Sequence, residues 1–242
     1  MSLSSLFKRF FRPQPAQTPD EEVIPASRPS LSDLLLFPYR EIPKSDSAGL
    51  LDLWQSSHKE GIHPLFIAGD EQTLEALSSN RWDCDELPDL NDFFETARID
   101  LETDEFSHMI IGNQDDSGEA MDALECPSLE SGAPLLLGEI PAEHPWDIFR
   151  LLPIGGWNDC PSAEIITSFC KRMYEDYGAE PVMISGDMLF MKPKHMPFKE
   201  ESYELALKLY AFCPDMVSQG AGSIHALADS LTKSPLWQFW WD

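Results

Sequence analysis

A thiol, an imidazole and several carboxylates occur close together in the last third of the sequence. Cys213, Asp215 and His225 fall within one short stretch, and a cysteine beside a histidine can act as a nucleophile with its general base. Asp159 and Asp242 add carboxylates to this set. The spacing matches no motif of the cysteine enzymes, and the proline after Cys213 removes a backbone N–H that could have stabilised a thiolate. A role at a helix end explains this Cys-Pro pair equally well, so catalysis is left open and a protein without enzymatic activity is favoured.

The cysteines and histidines do not show the spacing of a metal site. The 5 cysteines stand at positions 84, 126, 160, 170 and 213. Their odd number and the lack of a secretory signal predict reduced thiols in a cytoplasm. Zinc held by Cys160, Cys213 and His225 would lack a local pair of ligands, and the 6 histidines are scattered. Several histidines, such as His63, stand beside apolar residues, which is typical of a structural role. We therefore predict no metal ion and no cofactor.

Aromatic and polar residues in the same region are candidates for a binding surface. The sequence ends in Trp-Gln-Phe-Trp-Trp-Asp, and alternation along a strand places Trp237, Phe239 and Trp241 on one face, as core. The same alternation places Trp240 on the opposite face, where it either packs under a helix or lines a binding surface. The candidate binding residues are Trp157, Asn158, Asp159, Gln219, Trp240 and Asp242.

The charge of the chain limits its partners. Lys and Arg total 17 against 42 Asp and Glu, a formal net charge of −25, so nucleic-acid phosphates would be repelled. The acidic residues concentrate in residues 83–130, where Arg98 is the only Lys or Arg. Such a run is more often a solvated face or a mobile insertion than a binding site. The net charge of the whole chain would attract a basic ligand or a basic protein, or it serves only to keep the protein soluble.

Residues 1–12 form a short basic amphipathic segment. Its apolar and basic residues have helical spacing and are Leu3, Leu6, Phe7, Lys8, Arg9, Phe10, Phe11 and Arg12. Three interpretations stay open: a helix that docks on a partner, a weak peripheral contact with a membrane, or a terminus that folds back on its own acidic domain. Residues 13–30 contain five prolines among polar residues, which is the composition of an extended linker.

The elements that would position these residues have clear signals in the second half of the chain. The spacing predicts helices over 161–177, 199–212 and 224–231, the first ended by Gly178 and capped by Asp159 or Cys160. A further helix begins after Asp70. Strands are predicted over 64–68, 108–112, 134–140, 148–154, 181–185 and 188–192 and at the aromatic end, and the residues from Gln219 to Gly222 are predicted as a loop.

This order of elements predicts an α+β fold. We expect an antiparallel or mixed β-sheet with helices packed mainly on one face and the C-terminal aromatic strand in the sheet. The predicted organisation is the basic segment 1–12, the linker 13–30, an N-terminal α/β half over 31–150 with an acidic insertion at 83–130, and a C-terminal α+β domain over 151–242.

Five separated blocks resemble a known family. They are Gly155-Gly156-Trp157-Asn158-Asp159-Cys160-Pro161, Tyr177-Gly178-Ala179-Glu180, Ala211-Phe212-Cys213-Pro214-Asp215, Gln219-Gly220 and the closing Trp-x-Phe-Trp-Trp-Asp. In this order they resemble the bacterial domain-of-unknown-function family 4253, closely over 151–242 and more loosely over 54–69. The resemblance implies a bacterial, cytoplasmic protein and carries over no established activity. This chain has Lys208 where the family commonly has an acidic residue, which disfavours a catalytic carboxylate at that position.

These observations favour one function and leave two alternatives open. The acidity and the lack of a catalytic constellation favour a non-enzymatic interaction module, of regulatory or immunity type, that binds a basic protein. The first alternative is a small-molecule-binding or hydrolytic site around Trp157, Asp159, Cys213, Asp215 and Asp242. The second is peripheral membrane recruitment through residues 1–12. The sequence carries no signal of an oligomeric state.

Overall fold

The computed structural model of the protein describes residues 31–43, 49–82, 84–105, 107–124 and 132–242. The predicted basic segment 1–12 and the predicted linker 13–30 lie outside the described residues. The predictions made for them therefore stay predictions.

Among the described residues, six strands form one mixed sheet. The strands are β1 (Tyr39–Ile42), β2 (Ile62–Ala68), β3 (Leu135–Pro141), β4 (Glu180–Ile184), β5 (Met188–Lys192) and β6 (Trp237–Trp240). Their order across the sheet is β1-β3-β2-β4-β5-β6. The central strands β2 and β4 are parallel, and the other neighbouring pairs are antiparallel. The sheet therefore combines strands from both sides of residue 150, and the aromatic strand β6 pairs with β5 at one edge.

Helices lie on both faces of this sheet, most of them on one face. The described α-helices are α1 (Leu31–Leu34), α2 (Leu50–Ser56), α3 (Glu71–Ser79), α4 (Asn91–Thr103), α5 (Ser107–Ile111), α6 (Ile148–Leu151), α7 (Ala163–Tyr177), α8 (Lys199–Phe212) and α9 (Ile224–Leu231). The predicted signals at helix ends hold in two places. Asp70 caps α3, its carboxylate accepting a hydrogen bond from the Thr73 N–H at 2.7 Å, and Gly178 ends α7 in the left-handed conformation at φ 62°.

The core has two parts, one on each face of the sheet. The larger part lies between the sheet and helices α4, α7, α8 and α9, and Phe169, Phe212 and Phe239 pack together at its centre. The smaller part lies on the other face, where Trp54 of α2 packs with Phe66 and Phe190. The predicted α+β class, the mixed sheet with helices mainly on one face, and the place of the C-terminal strand in the sheet are confirmed.

Several local predictions were wrong. The ranges 108–112 and 148–154, predicted as strands, overlap the helices α5 and α6. The N-cap of α7 is Ser162 rather than Asp159 or Cys160, because the chain from Trp157 to Pro161 first makes a separate turn. The predicted loop at Gln219 lies in a π-helical turn, Met216–Ala221. Short apolar runs fit a helix and a strand equally well, which explains the first two errors.

Candidate functional site

Cys213 directly follows α8 and lies in a sealed part of the core. Its side chain is 0% exposed, and its Sγ donates a hydrogen bond to the backbone oxygen of Trp240 at 2.9 Å. Burial raises the pKa of the Cys213 thiol to about 12, and burial also raises the pKa of the neighbouring Cys160 thiol well above its ordinary value. Both thiols therefore stay protonated near neutral pH, which removes the thiolate that nucleophilic catalysis needs.

The other two candidate catalytic residues have different surroundings. The ring of His225, in α9, packs against the ring of Tyr203 with centroids 4.7 Å apart, and among the described residues no hydrogen bond links His225 to Cys213. The Asp215 carboxylate accepts hydrogen bonds from the Ser218 hydroxyl at 3.0 Å and from the Asp242 N–H at 3.2 Å. Asp215 therefore ties the end of β6 to the turn after α8, which is a structural role.

Trp157 lines a small cleft beside α3. The cleft has a volume of about 250 Å³, and Asn80, Gly155 and Gly156 contribute to its wall. The Asn80 side-chain amide donates a hydrogen bond to the Gly155 carbonyl at 2.7 Å and holds α3 against this loop. Trp157 is half-buried, and Asp159 beside it is exposed to solvent, as is Asn158, which takes a left-handed conformation at φ 46°.

Trp240 lines a second, separate cleft of about 480 Å³. The Trp240 ring lies against Gly220 so closely that a Cβ at this position would sit only 2.7 Å from the ring carbon Cη2. Met121 and Ser234 also line this cleft, and Gln219 and Asp242 are exposed near it. The six predicted binding residues are thus divided between two places, the Trp157 loop and the Trp240 region, rather than converging on one.

The burial of the thiols gives a prediction about their reactivity. In a Cys84→Ser/Cys126→Ser variant, we expect Cys160, Cys170 and Cys213 to react with Ellman's reagent only after unfolding, because the three are 3%, 0% and 0% exposed. The absorbance of the released thiolate, with and without denaturant, measures this. A thiol that reacts rapidly in the folded protein, and whose reaction is lost on Cys213→Ser, would contradict it and support the hydrolytic alternative.

The structure also brings together His58, His63 and Glu180, which the sequence did not indicate as a cluster; His63 was expected to have a structural role. Their possible ligand atoms all lie within 4.8 Å of one another, and His58 Nε2 is 3.1 Å from Glu180 Oε2. The hydrogen bond with Glu180 raises the pKa of His58, whereas burial lowers the pKa of His63. No spacing rule could have found this cluster, because 122 positions separate His58 from Glu180 and only the sheet joins them.

Exposed carboxylates cover much of the stretch from 85 to 122. We name this set the acidic surface: Asp85, Glu86, Asp89, Asp92, Glu95, Glu102, Glu105, Asp115, Glu119 and Asp122. Arg98 is the only Lys or Arg of this stretch, and its guanidinium pairs with Glu95 at 3.1 Å. Helix α4 carries Asp92, Glu95 and Glu102 of the acidic surface and packs on α8, whereas α5, which has no acidic residue, packs on α9.

Hydrogen bonds hold the second half of this stretch on α9 and the turn after it. Ser223 Oγ donates to Asp116 at 2.8 Å, and the Gly118 N–H donates to Asp229 at 3.0 Å. Further along, the Met121 N–H donates to Ser234 Oγ at 3.0 Å. The described part of the predicted insertion is therefore fixed on the helical layer.

The fold is thus α+β, with a mixed sheet whose edge strand at one side is the aromatic strand β6. Residues 136–242 match the family model described as "Domain of unknown function (DUF4253)", so this stretch of the chain is similar to that family. The acidic surface and both histidines of the His58 cluster precede the matched residues, whereas Glu180 lies within them.

No curated protein and no solved structure matches the chain. None of the described helices combines the length and the apolar character that a bilayer span requires. The predicted bacterial origin and cytoplasmic location stay predictions.

Proposed function

We propose that the protein is a non-enzymatic interaction module that binds a basic, amphipathic segment of a protein partner on its acidic surface. The observation that carries this proposal is a fixed surface of exposed carboxylates with exposed apolar side chains among them. The formal net charge of −25 adds a long-range attraction for basic partners, which raises association rates at low salt.

The carboxylates of the acidic surface outnumber the cations beside them, which include Arg98 near Glu95 and Glu102 and Arg172 of α7 near Asp89. Glu95 pairs with Arg98, and that stretch contains no other Lys or Arg. Elsewhere in the described chain, basic side chains have acidic neighbours of their own, such as Lys59 with Glu139 and Lys233 with Asp229. A basic partner would therefore meet more exposed carboxylates than the neighbouring arginines can neutralise, and salt would weaken its attraction to them.

Two large apolar side chains are exposed within the same stretch. Ile99 of α4 is 48% exposed and Met109 of α5 is 67% exposed. Charge alone attracts a partner and orients it, whereas apolar side chains at the centre of an interface contribute most of the affinity. Methionine is well suited to such contacts, because its unbranched side chain adapts to different surfaces. The combination favours a partner segment with both basic and apolar residues over one that is only basic.

The structure gives less support to the alternatives. The hydrolytic site would use Cys213, whose thiol is sealed in the core. A small ligand in the Trp157 cleft would find about 250 Å³, with Glu75 as the only charged side chain in its lining. Membrane recruitment depends on residues 1–12, which lie outside the described residues. Binding of a basic partner is therefore the function that we propose.

A direct test uses a labelled helical peptide of leucine and lysine as the probe and fluorescence anisotropy as the readout. We expect the Glu102→Gln/Glu105→Gln/Asp115→Asn variant to bind the peptide about tenfold more weakly than the wild type, because three carboxylates of the acidic surface are neutralised. Raising the salt concentration from about 50 mM to about 300 mM should weaken peptide binding by the wild type, since the Debye length becomes shorter. The difference in affinity between the wild type and the triple variant should therefore become smaller.

The matched control removes the same charge elsewhere. Glu41, Asp52 and Glu60 are exposed and lie outside the acidic surface, so Glu41→Gln/Asp52→Asn/Glu60→Gln should change the affinity by less than about twofold. Equal losses in the two triple variants would show that only net charge matters. Such a result, or the absence of any salt-dependent binding, would contradict the proposal.

A further inference from the structure

The His58 cluster lies at one end of the two central strands. His63 is the second residue of β2, Glu180 is the first residue of β4, and these strands are parallel neighbours in which Phe66 pairs with Met183. His63 and Glu180 therefore both lie near the beginnings of neighbouring parallel strands, at the same end of the sheet. His58 follows α2, whose Trp54 donates its indole N–H to the Pro64 carbonyl of β2 at 2.8 Å. The cluster therefore stands on rigid elements rather than on a free loop.

The hydrogen bonds of His58 define which nitrogen faces the cluster. Its Nδ1 lies 3.1 Å from the Trp54 carbonyl, which can only accept, so Nδ1 carries the hydrogen. Nε2 then faces the Glu180 carboxylate at 3.1 Å with either a proton or a lone pair. If Nε2 carries a lone pair, this lone pair and the negative carboxylate repel each other, and a cation bound between them would remove that repulsion. A histidine that donates its other N–H to a backbone carbonyl is a common arrangement at metal sites.

His63 supplies an independent observation. Its Nδ1 is buried and makes no hydrogen bond of ordinary geometry to the described residues, and the backbone of Glu143 is a polar neighbour of the ring. A buried polar atom without a partner is unusual in a folded protein, and an ion is one of the explanations for it. His63 is thus a second imidazole beside the same carboxylate, with unused capacity to bind.

The distances are compatible with one ion after a small adjustment. Ligands of a tetrahedral Zn²⁺ lie about 2.0–2.2 Å from the metal, so two of them are about 3.4 Å apart. The described ligand atoms are separated by at most 4.8 Å, so side-chain rotations that bring the most distant pair up to about 1.4 Å closer would suffice. A cleft of about 580 Å³, lined partly by His58, Glu180 and His195, opens on this cluster and provides access from solvent.

We propose that His58, His63 and Glu180 form a binding site for one divalent transition-metal ion of the Zn²⁺ or Co²⁺ class. Two imidazoles and one carboxylate suit these ions, whereas Ca²⁺ and Mg²⁺ prefer sets of oxygen ligands. The three protein ligands leave at least one coordination position open towards the cleft. The site is independent of the acidic surface and does not rest on the proposed partner binding.

The test is a titration of the full-length, chelator-treated protein with Zn²⁺ by calorimetry and with Co²⁺ by visible absorption. We expect one ion per chain, and a Co²⁺ spectrum with d–d bands of low-coordinate geometry. His63→Gln and Glu180→Gln should each weaken Zn²⁺ binding by at least about tenfold and abolish the Co²⁺ bands. Zn²⁺ should also raise the melting temperature of the wild type but not of these variants, because the ion binds the folded state.

Two controls distinguish this site from weak binding elsewhere. His195→Gln removes an exposed histidine of the same cleft and should leave the affinity and the Co²⁺ spectrum unchanged. The Glu102→Gln/Glu105→Gln/Asp115→Asn variant should also bind Zn²⁺ like the wild type, although its peptide binding is weakened. The proposal is overturned if wild-type Zn²⁺ binding does not saturate below about 1 mM, or if every variant binds equally. In that case the cluster is only an ion pair between His58 and Glu180, with His63 beside it.

Discussion

Replacing Trp241 with alanine is expected to lower the free energy of unfolding by about 3 to 5 kcal/mol. Trp241 is 2% exposed, its ring packs edge-on against Phe212 with centroids 5.5 Å apart, and its indole N–H donates to the Phe212 carbonyl at 3.4 Å. Its backbone N–H donates to the Asp187 carbonyl at 3.1 Å. The substitution therefore opens a cavity in the larger core and leaves the end of β6 poorly held. Urea unfolding followed by circular dichroism measures the loss.

Phe198→Ala is the matched control for this substitution. Phe198 precedes α8 and is 76% exposed, so removal of its ring should change the free energy of unfolding by no more than about 0.5 kcal/mol. A loss below about 1 kcal/mol for Trp241→Ala would mean that the aromatic end of the chain frays in solution. The assignment of Trp241 to the core would then be wrong.

This aromatic strand shows how much of the fold could be predicted. Alternation alone placed Trp237, Phe239 and Trp241 together, and the three are confirmed in the larger core. Helix α8 was predicted with its observed ends, because apolar residues recur from Tyr203 to Phe212 and a Cys-Pro pair follows the helix. Long periodic segments, and the capping or helix-ending residues at their ends, can be predicted from one sequence because both depend on interactions between residues close together in the chain.

Short segments were harder to predict for a physical reason. Residues 107–111 carry three consecutive apolar residues, of which Ile110 and Ile111 contact the core while Met109 is exposed. So short a run does not distinguish a period of 3.6 from a period of 2. The start of α6 did have a signal, because Pro145 opens a 3₁₀ turn (Pro145–Asp147) that leads into this helix. The apolar residues after Pro145 fit a strand as well, and for this reason the helix start at this proline was not predicted.

The sites depended on contacts that one sequence does not show. Cys213 and His225 are only 12 positions apart in the sequence, and yet one lies in the sealed core and the other packs on Tyr203. His58 and Glu180 are distant in sequence and meet because β2 and β4 are neighbours in the sheet. Proximity along the chain therefore wrongly suggested that Cys213 and His225 interact. The contact between His58 and Glu180 could not be predicted before the strand order was known.

Gly155→Ala is expected to destabilise the protein more than Gly156→Ala, although both glycines have positive φ, at 90° and 79°. A Cβ at position 155 would lie 2.0 Å from the Pro161 carbonyl oxygen, which accepts a hydrogen bond from the Gly156 N–H at 2.9 Å. That contact would force the loop before α7 open. A Cβ at position 156 would meet only the Asn80 side chain, at 3.8 Å.

The two variants separate backbone strain from steric overlap. An alanine in the left-handed region costs about 1 to 2 kcal/mol, which both variants share. The overlap at position 155 adds about 1 to 3 kcal/mol, so we expect a total loss of about 2 to 5 kcal/mol for Gly155→Ala. Urea midpoints at unchanged m values measure the difference. Equal losses would show that the loop moves aside without cost, and the wall of the Trp157 cleft would then be far less rigid than its hydrogen bonds to Asn80 and Pro161 indicate.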